Sequence, residues 1–535
     1  MNHKQNKGMT KSVTWQNFQQ HYLDLPELGI ALDTSRMNVP DKLPNELEIL
    51  FRNAFQQMEN LEKGGIANPD ENRMVGHYWL RNPELAPSQD IQTVISSTLE
   101  KIQNFVAEIH QNKIQPQKAA SFQNVLLLGI GGSTLGPQFV ISALGSGTDR
   151  MQFYFIDNTD PDGIDQLMAS IGKGLGETLT LVISKSGGTK ETRNAMLEVR
   201  DVYEKNGLDF TKHAVAVTGA NSQLDQLAAK ENWLDCFPMW DWVGGRTSVF
   251  SAVGLLPAAL QGLNIYEFLA GAKKMDEFTR SPEVSNNPAA LLAWMWHHAG
   301  RGQGEKAMVL LPYKDRLLIF SRYLQQLVME SIGKEKDLVG KKVNQGLTVY
   351  GNKGSTDQHA FVQQLRDGTD NFFVTFIEVL KDRENKSLEV EPGVTSGDFL
   401  QGFLLGTREA LFQNGRTSLT ITLEIINTQT LGALIALFER TVGLYAFLVG
   451  INAYHQPGVE SGKQAAGNVL ELAVKIQHHL RSHPEQKFTA TELADILQKT
   501  INTETVFQLL LHLAANNRVQ KFEAKSPFSA SFQAI

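Results

Sequence analysis

Four times between residues 124 and 228 the chain repeats one plan: a short apolar run, a polar turn, then a stretch with helical periodicity. NVLLL leads into GIGGSTLGPQFV, FYFI into DNTDPDGIDQLM, LTLVI into SKSGGTKETRNAMLEV, and HAVAV into TGANSQLDQLA. Short β-rich runs alternating with helices at spacings of roughly 25 to 35 residues predict βαβ units and a parallel sheet.

A second α/β section follows, with AMVLLPY and NFFVTFIEVL as strands and RLLIFSRYLQQLVMESIGK as the long helix between them. Leu317, Phe320, Leu324, Leu327 and Val328 keep the spacing of a buried helical face, and Gly333 is placed to end the helix. The apolar stretch from Leu431 carries Glu439 and Arg440 near its middle. Charges there are costly in a bilayer, so the stretch predicts a buried core helix and not a membrane span. The predicted fold class is α/β, with two domains flanked by helices. Residues 1–115 are expected to be a helical arm packing on the large domain, 116–270 the first α/β domain, 271–483 the second with its C-terminal helices, and 484–535 a small helical extension. In that extension TATELADILQKT opens with a capping-box pattern.

Composition narrows the function. At 535 residues the chain exceeds one ordinary core, and 42% apolar with 20% charged residues is an ordinary globular balance. A net charge of -7 argues against a nucleic-acid partner. It leaves a phosphorylated substrate open, because backbone N–H groups and hydroxyls hold phosphate without a basic patch. The single cysteine, Cys236, sits among aromatics in WLDCFPMW and reads as buried and structural. With no disulfide possible and no apolar leader after the N-terminal lysines, a soluble cytoplasmic chain is expected.

In a parallel α/β sheet, ligands bind at the C-terminal ends of the strands. Three loops there carry candidate chemistry. GIGGSTLGP, residues 129–137, has Gly132 and Ser133 at its centre. It fails the dinucleotide fingerprint at Thr134 and lacks the Gly-Lys-Ser/Thr of a P-loop, so it is either a tight strand-to-helix turn or a substrate loop. SKSGGTKET, residues 184–192, offers the hydroxyls of Ser184, Ser186 and Thr189, with Lys185 among them, ahead of a helix N-terminus. Those are the parts of a phosphate cradle; they are also those of a hydroxyl-rich helix cap. In GGRTSVFSAVG, Arg246 follows two glycines, where it is either a surface arginine or a held cation that stabilises an oxyanion or pairs with an acid.

Acid–base candidates lie in the second half. Gln326 and Glu330 are four apart and project from one helical face. Glu330 is either an exposed helix-end carboxylate or, with the apolar neighbours of LQQLVM, a general base. His359 lies in the loop GNKGSTDQHAF, and Lys463 lies in YHQPGVESGKQAAG, past a Pro-Gly break. Alone, His359 reads as structural, and Lys463 enters the helix that follows the break. No HExxH, CxxC or Asp-rich loop occurs, so no metal and no cofactor are expected.

Taken in order, GIGGSTLGP, SKSGGTKET, DWVGGRTSVFSAVG, LQQLVMESIGK, STDQHAF and YHQPGVESGK resemble the glucose-6-phosphate isomerase family, over roughly residues 60–480. The chain is especially similar to the long bacterial members found in cyanobacteria and chlamydiae. The resemblance implies two sugar-isomerase-type three-layer domains, a helical arm, and a homodimer with active sites at the subunit interface. It implies an aldose–ketose isomerase of glycolysis and gluconeogenesis, working without cofactor through a cis-enediol(ate). Glu330 would be the base, Arg246 the cation for the intermediate, and His359, from the partner subunit, and Lys463 the ring-opening groups. Gly132, Ser133, Ser184, Lys185, Ser186, Thr189 and Gln326 would hold the sugar phosphate. Thr247 departs from the aromatic that many members carry after the arginine. Two alternatives stand beside this: dual activity on mannose 6-phosphate, and a non-catalytic sugar-phosphate sensor.

Overall fold

The computed structural model of the chain describes residues 13–497 and 502–535, with residues 459–465 described by their backbone alone. The chain forms two compact units, one running to His455 and one from Gln456 to Ile535.

The four repeated apolar runs become neighbouring strands. With Asp235–Pro238 as a fifth strand, they build a parallel sheet in the order Gln152–Ile156, Asn124–Leu128, Thr178–Ser184, Ala214–Thr218, Asp235–Pro238. Alternate residues go to opposite cores. Val125, Leu127, Leu181 and Ile183 face one apolar cluster, while Leu126, Leu128, Val182 and Ala216 face another. A strand covered on both faces reads as continuous apolar sequence, which is why these runs are legible. The strand Thr178–Ser184 is buried along its whole length.

The second sheet has six strands, ordered Tyr22–Leu25, Ile30–Arg36, Ser418–Leu423, Phe372–Val379, Ala307–Pro312, Val349–Tyr350. The last four run parallel. The first two form a hairpin that joins antiparallel to Ser418–Leu423. The N-terminal arm is therefore not purely helical, as the sequence pattern had suggested. Its strand Ile30–Arg36 carries Asp33 and Ser35 in the middle, which hides the β pattern. Both are buried, and Asp33 is satisfied from afar by Arg408 at 3.1 Å.

Helix Thr428–Leu448 is the one described helix long and apolar enough to cross a membrane, and it is buried in the protein. Its two charges are paired. Arg440 meets Glu62 and lies 3.0 Å from Asp276, while Arg81 meets Glu439 and lies 2.7 Å from Asp276. Arg280 adds a contact to Glu62 at 2.8 Å. Such a network is how charge survives in a core.

The long helix expected over RLLIFSRYLQQLVMESIGK has a different middle. After an α-helical turn at Phe320–Leu324, residues Gln325–Glu330 form a π-helix before the chain leaves at Gly333. Leu317, Phe320, Leu324, Leu327 and Val328 are all buried, as their spacing predicts.

The second unit begins well before residue 484. Helix Pro457–Ser482 buries Ile476 and Leu480 in the same apolar cluster as Phe488, Leu493, Leu510 and Phe532, so the helix and the tail share one core. Nor is the tail only helical. Strand Phe488–Thr489 is followed by helices Ala490–Leu497 and Thr503–Ala515, then by strands Val519–Phe522 and Ser531–Ala534. The last strand pairs antiparallel between the other two, the order of a winged-helix module. Thr489 and Glu492 make the expected capping box, the Thr489 N–H donating to Glu492 at 2.8 Å and the Glu492 N–H to the Thr489 hydroxyl at 3.3 Å. The end of TATELADILQKT, from residue 498, lies outside the described residues.

Candidate active site

The loop after strand Asn124–Leu128 tightens into a 3-10 turn at Gly131–Ser133. Gly131 has φ of 58°, in the left-handed region, and a Cβ there would stand 2.9 Å from the Gln326 amide nitrogen. At Gly132 a Cβ would overlap the Gly245 carbonyl. The Ser248 hydroxyl donates to the carbonyls of Gly132 at 3.2 Å and Gly245 at 2.7 Å. Three motifs far apart in sequence thus close on one another, and the glycines are what allow it.

Arg246 sits in the 3-10 turn Gly245–Thr247 and is buried. Its Nε donates to the Ser331 hydroxyl at 2.9 Å, and one terminal nitrogen donates to the Ala453 carbonyl at 2.8 Å. The other terminal nitrogen lies 3.3 Å from a carboxylate oxygen of Glu330. Burial pulls the guanidinium pKa below its ordinary value, and the Glu330 carboxylate opposes this. An arginine remains charged through shifts of this kind. Glu330 ends the π-helix, its side chain 23% exposed, so it meets a buried cation on one side and has access to solvent on the other. π turns concentrate at functional sites. Thr247 donates its hydroxyl to the Gly244 carbonyl at 3.3 Å and so tightens its own turn.

The hydroxyl loop follows the fully buried strand Thr178–Ser184. The Ser184 hydroxyl donates to that of Thr189 at 3.3 Å, and the Gly188 N–H donates to the Ser186 hydroxyl at 3.2 Å. Thr189 is the N-cap residue of helix Lys190–Lys205, yet its side chain does not cap the helix. The helix therefore presents its N-terminal N–H groups together with clustered hydroxyls, which suits an anion. Lys185 turns elsewhere: its ammonium donates to the carbonyls of Asp241 and Val243, both at 3.2 Å, and lies 3.5 Å from the Asp241 carboxylate. Burial lowers its pKa, and Asp241 opposes this. Lys185 thus ties the hydroxyl loop to the segment that leads into Gly244.

A family model for phosphoglucose isomerase matches residues 33–411 and 406–486. The chain belongs to the phosphoglucose isomerase family. It is 60% identical to the glucose-6-phosphate isomerase of Geotalea daltonii over 508 residues, covering 95% of this chain and 96% of that one. It is also 60% identical to the glucose-6-phosphate isomerase of Geobacter sulfurreducens over 525 residues, covering 98% of this chain and 99% of that one. Among solved structures, a glucose-6-phosphate isomerase from Chlamydia trachomatis superposes with a TM-score of 0.78 at 27% identity, over 86% of this chain and 91% of that one.

Within this phosphoglucose isomerase fold, not every expected site residue joins the Arg246–Glu330 pair. His359 ends the 3-10 turn Thr356–His359, is exposed, and has no hydrogen-bond or ion-pair partner for its ring among the described residues. Its neighbours are fixed: Asp357 is buried and accepts from the Asn352 N–H at 2.7 Å, and Gln358 donates to the Phe403 carbonyl at 3.2 Å. Lys463 falls on helix Pro457–Ser482, and its side chain lies outside the described residues.

Three contributions went unread in the sequence. Ser331 and Lys334 stand inside LQQLVMESIGK, yet only the fold shows Ser331 holding Arg246 and the Lys334 ammonium donating to the carbonyls of Glu330 at 2.8 Å and Ser331 at 2.7 Å. The third is the N-terminal segment around Asn68 and Asp70. The Asn452 amide donates to Asn68 at 2.9 Å, and the His455 ring lies 3.7 Å from the Asp70 carboxylate. That segment braces the strand of chain whose carbonyls hold Arg246. Cys236 is half-buried, not fully buried as expected. Its thiol faces Asp225 at 3.5 Å, and burial, with Asp225 beside it, pushes its pKa up to about 12. That holds it as an unreactive thiol.

Proposed function

We propose that the chain is a glucose-6-phosphate isomerase, interconverting glucose 6-phosphate and fructose 6-phosphate through a cis-enediol(ate). The observation that carries this reading is a carboxylate facing a buried guanidinium at 3.3 Å, beside two strand-end loops, in a chain of the phosphoglucose isomerase family. Aldose–ketose isomerisation moves one proton between adjacent carbons. Glu330 takes it from C2 of the open-chain aldose and returns it to C1; Arg246 stabilises the oxyanion that develops in between. Ser184, Ser186 and Thr189 hold the phosphate with the N-terminus of helix Lys190–Lys205. Gly132, Ser133 and Gln326 seat the sugar, and Lys185 acts by holding the phosphate loop in place. Remote phosphate binding then positions the reacting carbons.

Ring opening falls to His359 and Lys463. An exposed His359 without a partner for its ring among the described residues supports a histidine that works in the other subunit of a homodimer. Apolar residues lie close by: Phe399 and Phe403, one turn apart on helix Ser396–Gln413, are both exposed, and the neighbouring Gln358 is bonded to the Phe403 carbonyl. A second copy covering that face accounts for both features. The reading puts the enzyme in the cytoplasm, in glycolysis and gluconeogenesis.

The sensor reading has one observation in its favour, the winged-helix order of the second unit. Helix Thr503–Ala515, which takes the place of a recognition helix in that order, contains no lysine or arginine. It offers no cation to a phosphate backbone.

The test is a coupled assay: fructose 6-phosphate and EDTA are supplied, and glucose 6-phosphate is followed through its dehydrogenase. The isomerase reading expects brisk turnover. A folded dimer with no turnover on this substrate overturns it.

A further inference from the structure

Lys334 opens strand Lys334–Lys336 and is 5% exposed. A buried lysine is costly unless its surroundings use it. Here the ammonium donates to the Glu330 carbonyl at 2.8 Å and to the Ser331 carbonyl at 2.7 Å. These belong to the last turn of the helix that carries the carboxylate, where carbonyls lack helical partners and a cation is favoured. The same two residues are gripped from the other side by Arg246, through the Glu330 carboxylate at 3.3 Å and the Ser331 hydroxyl at 2.9 Å. The peptide at Glu330–Ser331 is therefore clamped between two cations, one on its side chains and one on its backbone.

We infer that Lys334 is a positioning residue for the isomerase, fixing the Glu330 peptide against Arg246 and supplying a positive charge that the anionic substrate and intermediate call for. This rests on the isomerase reading above. Among the described residues, the charged and titratable groups facing Lys334 are Arg246 from the turn Gly245–Thr247, Glu330 from its own helix end, Asp70 from the N-terminal segment, and His455. Burial first, and Arg246 second, pull the Lys334 pKa down to about 7; Glu330 and Asp70 oppose them. The ammonium form therefore prevails below about 7 and is lost as pH rises through it. Loss of that charge weakens stabilisation of the enediolate that forms during the reaction, so kcat/KM falls on the alkaline side.

The test measures kcat and kcat/KM for fructose 6-phosphate from about pH 5.5 to about pH 9 in the wild type, Lys334→Met and Lys334→Arg. Lys334→Met keeps the apolar stem and removes both donors. It is expected to lower kcat roughly tenfold to a hundredfold, with KM changed far less, and to erase the alkaline limb of kcat/KM. Lys334→Arg keeps its charge at every working pH, so its alkaline limb moves upward. An active wild type whose Lys334→Met variant keeps both the kcat and the alkaline limb overturns the inference and leaves the isomerase reading intact. A wild type without turnover overturns the isomerase reading, and this inference falls with it. If Lys334→Met does not fold, Lys334→Arg decides: an upward limb supports the inference, and an unmoved limb overturns it.

Discussion

Arg246 holds two consecutive residues of one helix end: its Nη1 lies 3.3 Å from the Glu330 carboxylate, and its Nε donates to the Ser331 hydroxyl at 2.9 Å. With the Ala453 carbonyl as a further acceptor at 2.8 Å, the planar fork has one orientation that satisfies all three. A lysine reaches one or two of these at most. Arg246→Lys is expected to fold, to lose about 2 kcal/mol of stability from buried groups left unpaired, and to lower kcat at least roughly tenfold. Urea unfolding and steady-state kinetics on the same preparation check both.

The hydroxyl loop gives a prediction of different character. Ser184→Ala with Thr189→Ala removes two groups that face each other at 3.3 Å beside a helix N-terminus. If they hold the phosphate, KM rises, each lost bond to a charged group being worth roughly 1.5 to 3 kcal/mol. Inorganic phosphate, as a competitive inhibitor, should weaken in parallel. An unchanged KM moves the phosphate to another loop.

The shared-site reading makes a prediction about mixtures. His359→Ala and Glu330→Gln should each be inactive alone, because each spoils every site. Unfolded and refolded together, they form hybrid dimers in which one site has both residues intact, and activity should return. Mixtures as dead as their parents would place His359 and Glu330 in the same subunit's site.

The buried charge network predicts an acid limit. Burial pushes the Glu62 pKa up, but Arg440 and Arg280 outweigh it and hold the carboxyl down at about 2, against an ordinary 4.5. The folded state thus binds this proton less readily than the unfolded state does. The contribution is complete above 4.5 and is lost as pH falls toward about 2. It amounts to something on the order of 3 kcal/mol. Glu62→Gln should be less stable than wild type near neutrality, and its stability should depend less steeply on pH across that window. Parallel pH profiles for the two proteins would contradict this.

What the sequence made legible follows from physics that is local. The strands Asn124–Leu128, Thr178–Ser184 and Ala214–Thr218 could be read because central parallel strands are apolar on both faces. Helix Thr428–Leu448 could be read as core because two mid-helix charges fit a paired interior better than a bilayer. Strand Ile30–Arg36 could not, since the partner that satisfies Asp33 is Arg408, hundreds of positions away. The π turn at Gln325–Glu330 leaves no mark in the apolar spacing, because the residues that pack keep the same faces. Arg246 looked weak alone and became specific only when the fold put Glu330, Ser331 and Ala453 around it. Lys334 was in plain view, but its burial and its grip on two carbonyls belong to tertiary structure.

The central claim is that Glu330 moves the proton between C2 and C1. The most direct measurement is solvent exchange: fructose 6-phosphate is incubated in deuterium oxide with the wild type or Glu330→Gln, and deuterium entering the sugar is followed by NMR. The account predicts incorporation at C1 of fructose 6-phosphate and C2 of glucose 6-phosphate with the wild type. With Glu330→Gln it predicts a rate lower by roughly a hundredfold or more, with the fold and phosphate binding intact. Exchange at the wild-type rate in a folded Glu330→Gln protein would contradict it, and the base would have to be sought elsewhere.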